Sequence, residues 1–117
     1  MKPTHMSFPL LILSFVALSL SALQAKTVFK AGEDGYRIYR IPAVVKMANG
    51  DLLAFCEARQ GGDASEIDLV LKRSKDGGKS WSSLKVVQES SDFVKILGGR
   101  TKDVTIGNPA PVVDLLD

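Results

Sequence analysis

Histidine is nearly missing. The one imidazole, His5, sits just ahead of an apolar run from Phe8 to Ala22. With Lys2 before it and Ala25 after it, that run reads as a secretory signal over residues 1–25, removed by cleavage after Ala25. The mature chain then has no imidazole for a Ser-His triad, a zinc site or a proton relay, so such chemistry is excluded unless another chain supplies the groups. Cysteine is as scarce: Cys56 stands alone, which rules out a disulfide framework in an exported protein and leaves a small core residue. Neither sign of charge is in excess. The formal net charge is +2, or +1 once Lys2 is gone, and that balance argues against a nucleic-acid footprint. Long apolar runs are also lacking: the 15 residues from Phe8 to Ala22 fall short of the roughly 20 that a spanning helix needs. An uncleaved anchor is the alternative that this length argues against, and no later segment is apolar enough to span. What is left, residues 26–117, is expected outside the cytoplasm, periplasmic or extracellular, with a modest all-β core.

Short β-rich runs fill that stretch. Residues 40–47 are rich in Ile, Val and Ala, "ANGD" interrupts, and "LLAFCEAR" resumes at 52–59. Asn49-Gly50 predicts a hairpin with a two-residue type I′ turn, which needs positive φ at both central positions. A third strand is expected over "IDLVLKRS" at 67–74, a turn over "KDGGKS", and a fourth strand from about Trp81 to Gln88. Four consecutive strands make an antiparallel meander. Residues 89–105 read as a long loop with a short strand near Phe93 to Leu97, and no amphipathic helix pattern stands out. "IPAVV" at 41–45 returns as "NPAPVV" at 108–113. A repeated start suggests a repeated sheet, as in a β-propeller.

With a two-residue turn, Arg40 is expected directly opposite Arg59. Like charges so placed are destabilising unless an anion sits between them. Two readings stand at this point. The pair could clamp a carboxylate, for which the guanidinium fork is suited, or one arginine could pair with Glu57 or an aspartate while the other reaches solvent. Arg37 is expected at the surface. Asp63, in the Gly-rich "QGGD" leaving the same end of the hairpin, is placed to fold back over the arginines; a bound anion would raise its pKa and the arginines would lower it. As an alternative it is a solvated turn former. Asp68 is expected to pair with a base on a neighbouring strand and is the reserve acid. The Ser74 to Trp81 stretch falls at the opposite rim. There Asp76 is expected to accept backbone N–H bonds while Gly77 and Gly78 supply positive φ; its acidic residues are too few for a calcium loop.

Two motifs complete the pattern. "YRIP" at 39–42 resembles the Arg-Ile-Pro motif of sialidases, also called neuraminidases, and Ser74-x-Asp76-x-Gly78-x-Ser80-Trp81 resembles their Asp box. "GNPAPVVD" resembles the start of a second blade, so the likeness runs from about Tyr36 to Asp114. It implies an all-β six-bladed propeller, of which this chain holds the first blade and the start of the second. It also implies hydrolysis of terminal α-linked sialic acids from glycoproteins, glycolipids or oligosaccharides, with retention and without metal or organic cofactor. Sialidases use a tyrosine nucleophile where most glycosidases use a carboxylate. By the resemblance, Arg40 corresponds to the first arginine of the carboxylate-binding triad, Arg59 to a further substrate-contacting arginine, and Asp63 to the acid/base. The nucleophile, its glutamate and two more arginines belong to later blades. Neither Tyr36 nor Tyr39 matches the nucleophile. The closing "DLLD" departs from the pattern, so a truncated or shifted frame, inactive alone and prone to aggregate, is expected. A non-catalytic Asp-box propeller binding acidic glycans or a protein partner is the alternative function.

Overall fold

The computed structural model describes residues 25–101 and 104–114. The expected signal lies outside them apart from Ala25. β1 (Ile38–Lys46), β2 (Leu52–Arg59), β3 (Ile67–Ser74) and β4 (Lys85–Gln88) form one antiparallel sheet in the order β1-β2-β3-β4, consistent with a single propeller blade. β2 and β3 match their expected bounds. β4 is shorter than expected, because Ser82 bonds back to Arg73 through its N–H and hydroxyl before regular pairing begins at Lys85.

Alternation sorts the side chains onto two faces. One face carries Ala54, Cys56, Ala58 and Val70, all at most 2% exposed. Their small volumes let the segment before β1 lie close, so Phe29, Tyr36 and Tyr39 pack there together with Leu84 and Val86. The Phe29 and Tyr39 rings sit 5.4 Å apart. The opposite face carries Arg40, Val45, Leu53, Phe55, Glu57, Arg59, Leu69 and Leu71 by register. Its aliphatic and Phe55 positions are half-buried. β1 and β4 are both sheet edges, and Val44 is 58% exposed, so the uncovered apolar surface and open edges expected of one blade are present.

Three expectations are corrected. Residues 90–96 form a helix, α1 (Ser90–Ile96), not a loop with a strand. Asp92 sits in its first turn and Lys95 in its last, complementing the helix dipole, and Phe93, Ile96 and Leu97 fall at helical spacing. Gly98 and Gly99, both at positive φ, then close it by bonding Lys95 O and Val94 O. Residues 106–114 are not a strand; 104–106 instead run beside the start of β3, with a parallel bridge between Ile67 and Thr105. The hairpin turn is also different. Met47 and Asp51 pair across three loop residues, Ala48 to Gly50, and Gly50 alone has positive φ, at 89°. This is the three-residue loop ending in a left-handed glycine.

Candidate functional site

The turn has a consequence eight residues away. A three-residue loop without further irregularity would set Arg40 across from Ala58, on the face opposite Arg59. β1 prevents this by inserting one extra residue: Arg40 pairs with Glu57 and Ala43 with Phe55, leaving Ile41 and Pro42 against Cys56. Proline has no N–H to miss in such a bulge. Ile41 takes φ of 52°, a strained conformation for a β-branched residue. The Cys56 thiol donates to Arg40 O at 3.0 Å. Burial raises that thiol to about 11. The expected opposition of Arg40 and Arg59 is therefore corrected: Arg59 pairs with Ile38, and the two arginines are diagonal neighbours on one face.

They nevertheless converge. Arg59 Nη1 donates to Asp63 Oδ1, and Arg40 Nη1 lies 3.9 Å from the same oxygen. The Gly-rich loop folds back as expected, held by Ser65, whose N–H and hydroxyl both donate to Gly62 O. Arg59, first by its hydrogen bond and then by its charge, with Arg40 adding to it, holds the Asp63 carboxyl below its ordinary 3.8. The two guanidinium groups differ in setting. Arg59 is 5% exposed, with Nε and Nη2 both on Glu57 Oε2, the Nε contact at 2.8 Å; the Arg40 side chain is 58% exposed. The arrangement is the one in which one arginine pairs with Glu57 and an aspartate while the other reaches solvent.

Other expected residues lie apart. Arg37 is exposed and donates its N–H to Arg59 O. Asp68 does not pair with a base: its Oδ2 accepts from the Tyr36 hydroxyl at 2.7 Å and its Oδ1 from the Ser90 N–H at 2.8 Å. It ties the segment before β1 to the start of α1. Burial and then Asp68 raise the Tyr36 phenol well above its ordinary range. Ser74, Asp76, Gly78, Ser80 and Trp81 lie at the far end of β2 and β3, about 23 Å of strand from Arg59. There Ser74 Oγ accepts from Gly78 N–H at 2.8 Å, and Asp76 accepts from the Ser80 N–H and hydroxyl, so the turn is held by its own side chains. Among the described residues no group of three or more His, Cys, Asp or Glu could hold a metal ion, and no helix is long and apolar enough to cross a membrane.

Sequence reasoning missed Gly107 and Asn108, and it saw Glu57 only as one possible partner for an arginine. Glu57, 2% exposed, accepts the Asn108 N–H on Oε1 at 2.7 Å. Gly before Asn-Pro was the one available signal, since it marks close backbone approach.

No family model matches the chain. Its sequence is 38% identical over 82 residues to an exo-alpha-sialidase of Aspergillus fumigatus, covering 68% of this chain and 19% of that protein. It is 30% identical to a sialidase of Bacteroides fragilis, over 72% of this chain and 15% of that protein. With a sialidase of Micromonospora viridifaciens it shares 39% identity over 57% of this chain and 11% of that protein. The chain therefore spans about a fifth or less of these relatives. Their names do not favour the non-catalytic alternative. The matches, from fungi and bacteria alike, support the sialidase family for this chain.

Proposed function

We propose that this chain contributes one wall of an exo-α-sialidase active site, in which Arg40 and Arg59 bind the sialate carboxylate and Asp63 is the acid/base. The observation that carries the reading is that a strained bulge brings two guanidinium groups onto one face and around a single carboxylate oxygen. Asp63 stands there where a substrate carboxylate would be gripped. With the arginines on Asp63, its carboxyl is ionised at neutral pH and has no proton to give. An arriving sialate takes over the arginines and releases Asp63, whose pKa then rises. The protonated carboxyl donates to the glycosidic oxygen as that bond breaks and a tyrosine from the remaining length of the protein bonds to the anomeric carbon. The resulting carboxylate later takes a proton from the water that displaces this tyrosine from the anomeric carbon.

The substrates are terminal α-linked sialic acids on glycoconjugates or oligosaccharides, cleaved outside the cytoplasm by an exported, six-bladed protein of which this sheet is the first blade. The test is turnover of a fluorogenic α-sialoside by a protein joining this sheet to the remaining length found in the relatives. Arg40→Ala is expected to lower kcat/KM by on the order of 100-fold, the scale of losing one preorganised charge-stabilising donor. Near-normal turnover refutes the assignment.

A further inference from the structure

We infer that Glu57 is a positioning residue whose buried carboxylate couples the docking of residues 104–108 to the orientation of the Arg59 guanidinium. The inference rests on the reading of Arg40 and Arg59 as a carboxylate clamp. Glu57 divides its oxygens between two tasks. Oε2 accepts from Nε and Nη2 of Arg59, fixing one edge of the planar fork. That leaves Nη1 directed outward, onto Asp63. Oε1 accepts from the Asn108 N–H.

The second contact depends on a close approach. A Cβ on Gly107 would stand 2.7 Å from Glu57 Oε1, so any other residue pushes the carboxylate away. Asn108, at φ 55°, turns its N–H toward the same oxygen. Segment 104–108 is itself held to β3 by Ile67 N–H on Val104 O and Ile106 N–H on Ile67 O. Arg59 therefore has its aim set by a stretch of chain that follows α1. Among the described residues Arg40, more than half exposed, has one long ion pair and no such support. The clamp is one fixed arm and one adjustable arm.

The test uses the 117-residue chain labelled with 15N-arginine. In the wild type the Arg59 Nε–H is expected to exchange with water at least about tenfold more slowly than that of Arg40, the worth of one charge-assisted hydrogen bond. Glu57→Gln and Gly107→Ala, which act on the two ends of one contact, should each raise the Arg59 rate about tenfold while the Val70 amide stays protected. N-acetylneuraminate, titrated into the same three sequences each joined to the remaining length found in the relatives, should bind more weakly to both variants by a similar factor. An Arg59 rate equal to that of Arg40, or one that neither variant moves, overturns the inference; should Glu57→Gln fail to fold, the wild-type rate and Gly107→Ala decide it. If the Arg59 rate responds but N-acetylneuraminate binds to none of the proteins, positioning is upheld and the clamp reading fails.

Discussion

Truncating the two arginines separately should give very different losses of stability, although both touch Asp63. Among the described residues Arg40 has a single ion pair, of 3.9 Å, to a carboxylate whose side chain is 84% exposed. Exposed pairs of that kind are worth about 0–1 kcal/mol, so Arg40→Ala should cost less than ~1 kcal/mol. Removing Arg59 instead strands the Glu57 carboxylate, 2% exposed, with only the Asn108 N–H as partner. Breaking one side of a buried pair costs about 3–5 kcal/mol. The emission of Trp81, the one tryptophan, reports urea unfolding. With a slope of about 1–3 kcal/mol/M, Arg40→Ala should move the midpoint by under roughly 1 M, while Arg59→Ala shifts it by about 2 M or abolishes the transition. Equal shifts would refute the reasoning, because Arg40 would then be more than a half-exposed arm.

Three further outcomes are expected. Ser74→Ala leaves the Gly78 N–H without its acceptor at a site of 0% exposure and should cost about 1–3 kcal/mol, read as a lowered urea midpoint; an unchanged midpoint counts against the structural role of this turn. Asp63, whose folded carboxyl lies below 3.8, should add stability above the unfolded value of about 3.9 and lose it as pH falls through the lower folded value. A 13C-carboxyl titration should show this, with the pKa rising when N-acetylneuraminate is present; no movement with ligand bound defeats the displacement step. Cys56, 2% exposed with its thiol at about 11, should stay unlabelled by a thiol reagent at neutral pH until urea unfolds the sheet, and rapid labelling of the folded chain would contradict the burial.

Strands β2 and β3 were legible because aliphatic runs bounded by Asn-Gly and Asp-Gly-Gly leave little choice of limits. The arginines and Asp63 were legible as a cluster, since charge beside β-formers and a Gly-rich loop point to one end of a hairpin. Their pairing was not. Asn49-Gly50 fits either a two-residue or a three-residue loop, and no local propensity forecasts that Ile41 will accept a left-handed conformation. The two departures cancel in face but not in register, which is why the cluster held while its geometry changed. α1 was overlooked because its seven residues are too few for a periodic pattern to stand out, although the Gly98-Gly99 stop was visible. The Glu57 contact to Asn108 spans 51 positions, and such a meeting follows from tertiary packing alone.

That separation also bears on the order of events during synthesis. Neighbouring strands of the meander pair with what lies next to them, and contacts local in sequence form early. β1 to β4 can zip together while residue 108 is still to be made, so the nascent sheet holds Glu57 with one oxygen open to water. That oxygen gains its Asn108 N–H only once the later stretch returns across the gap.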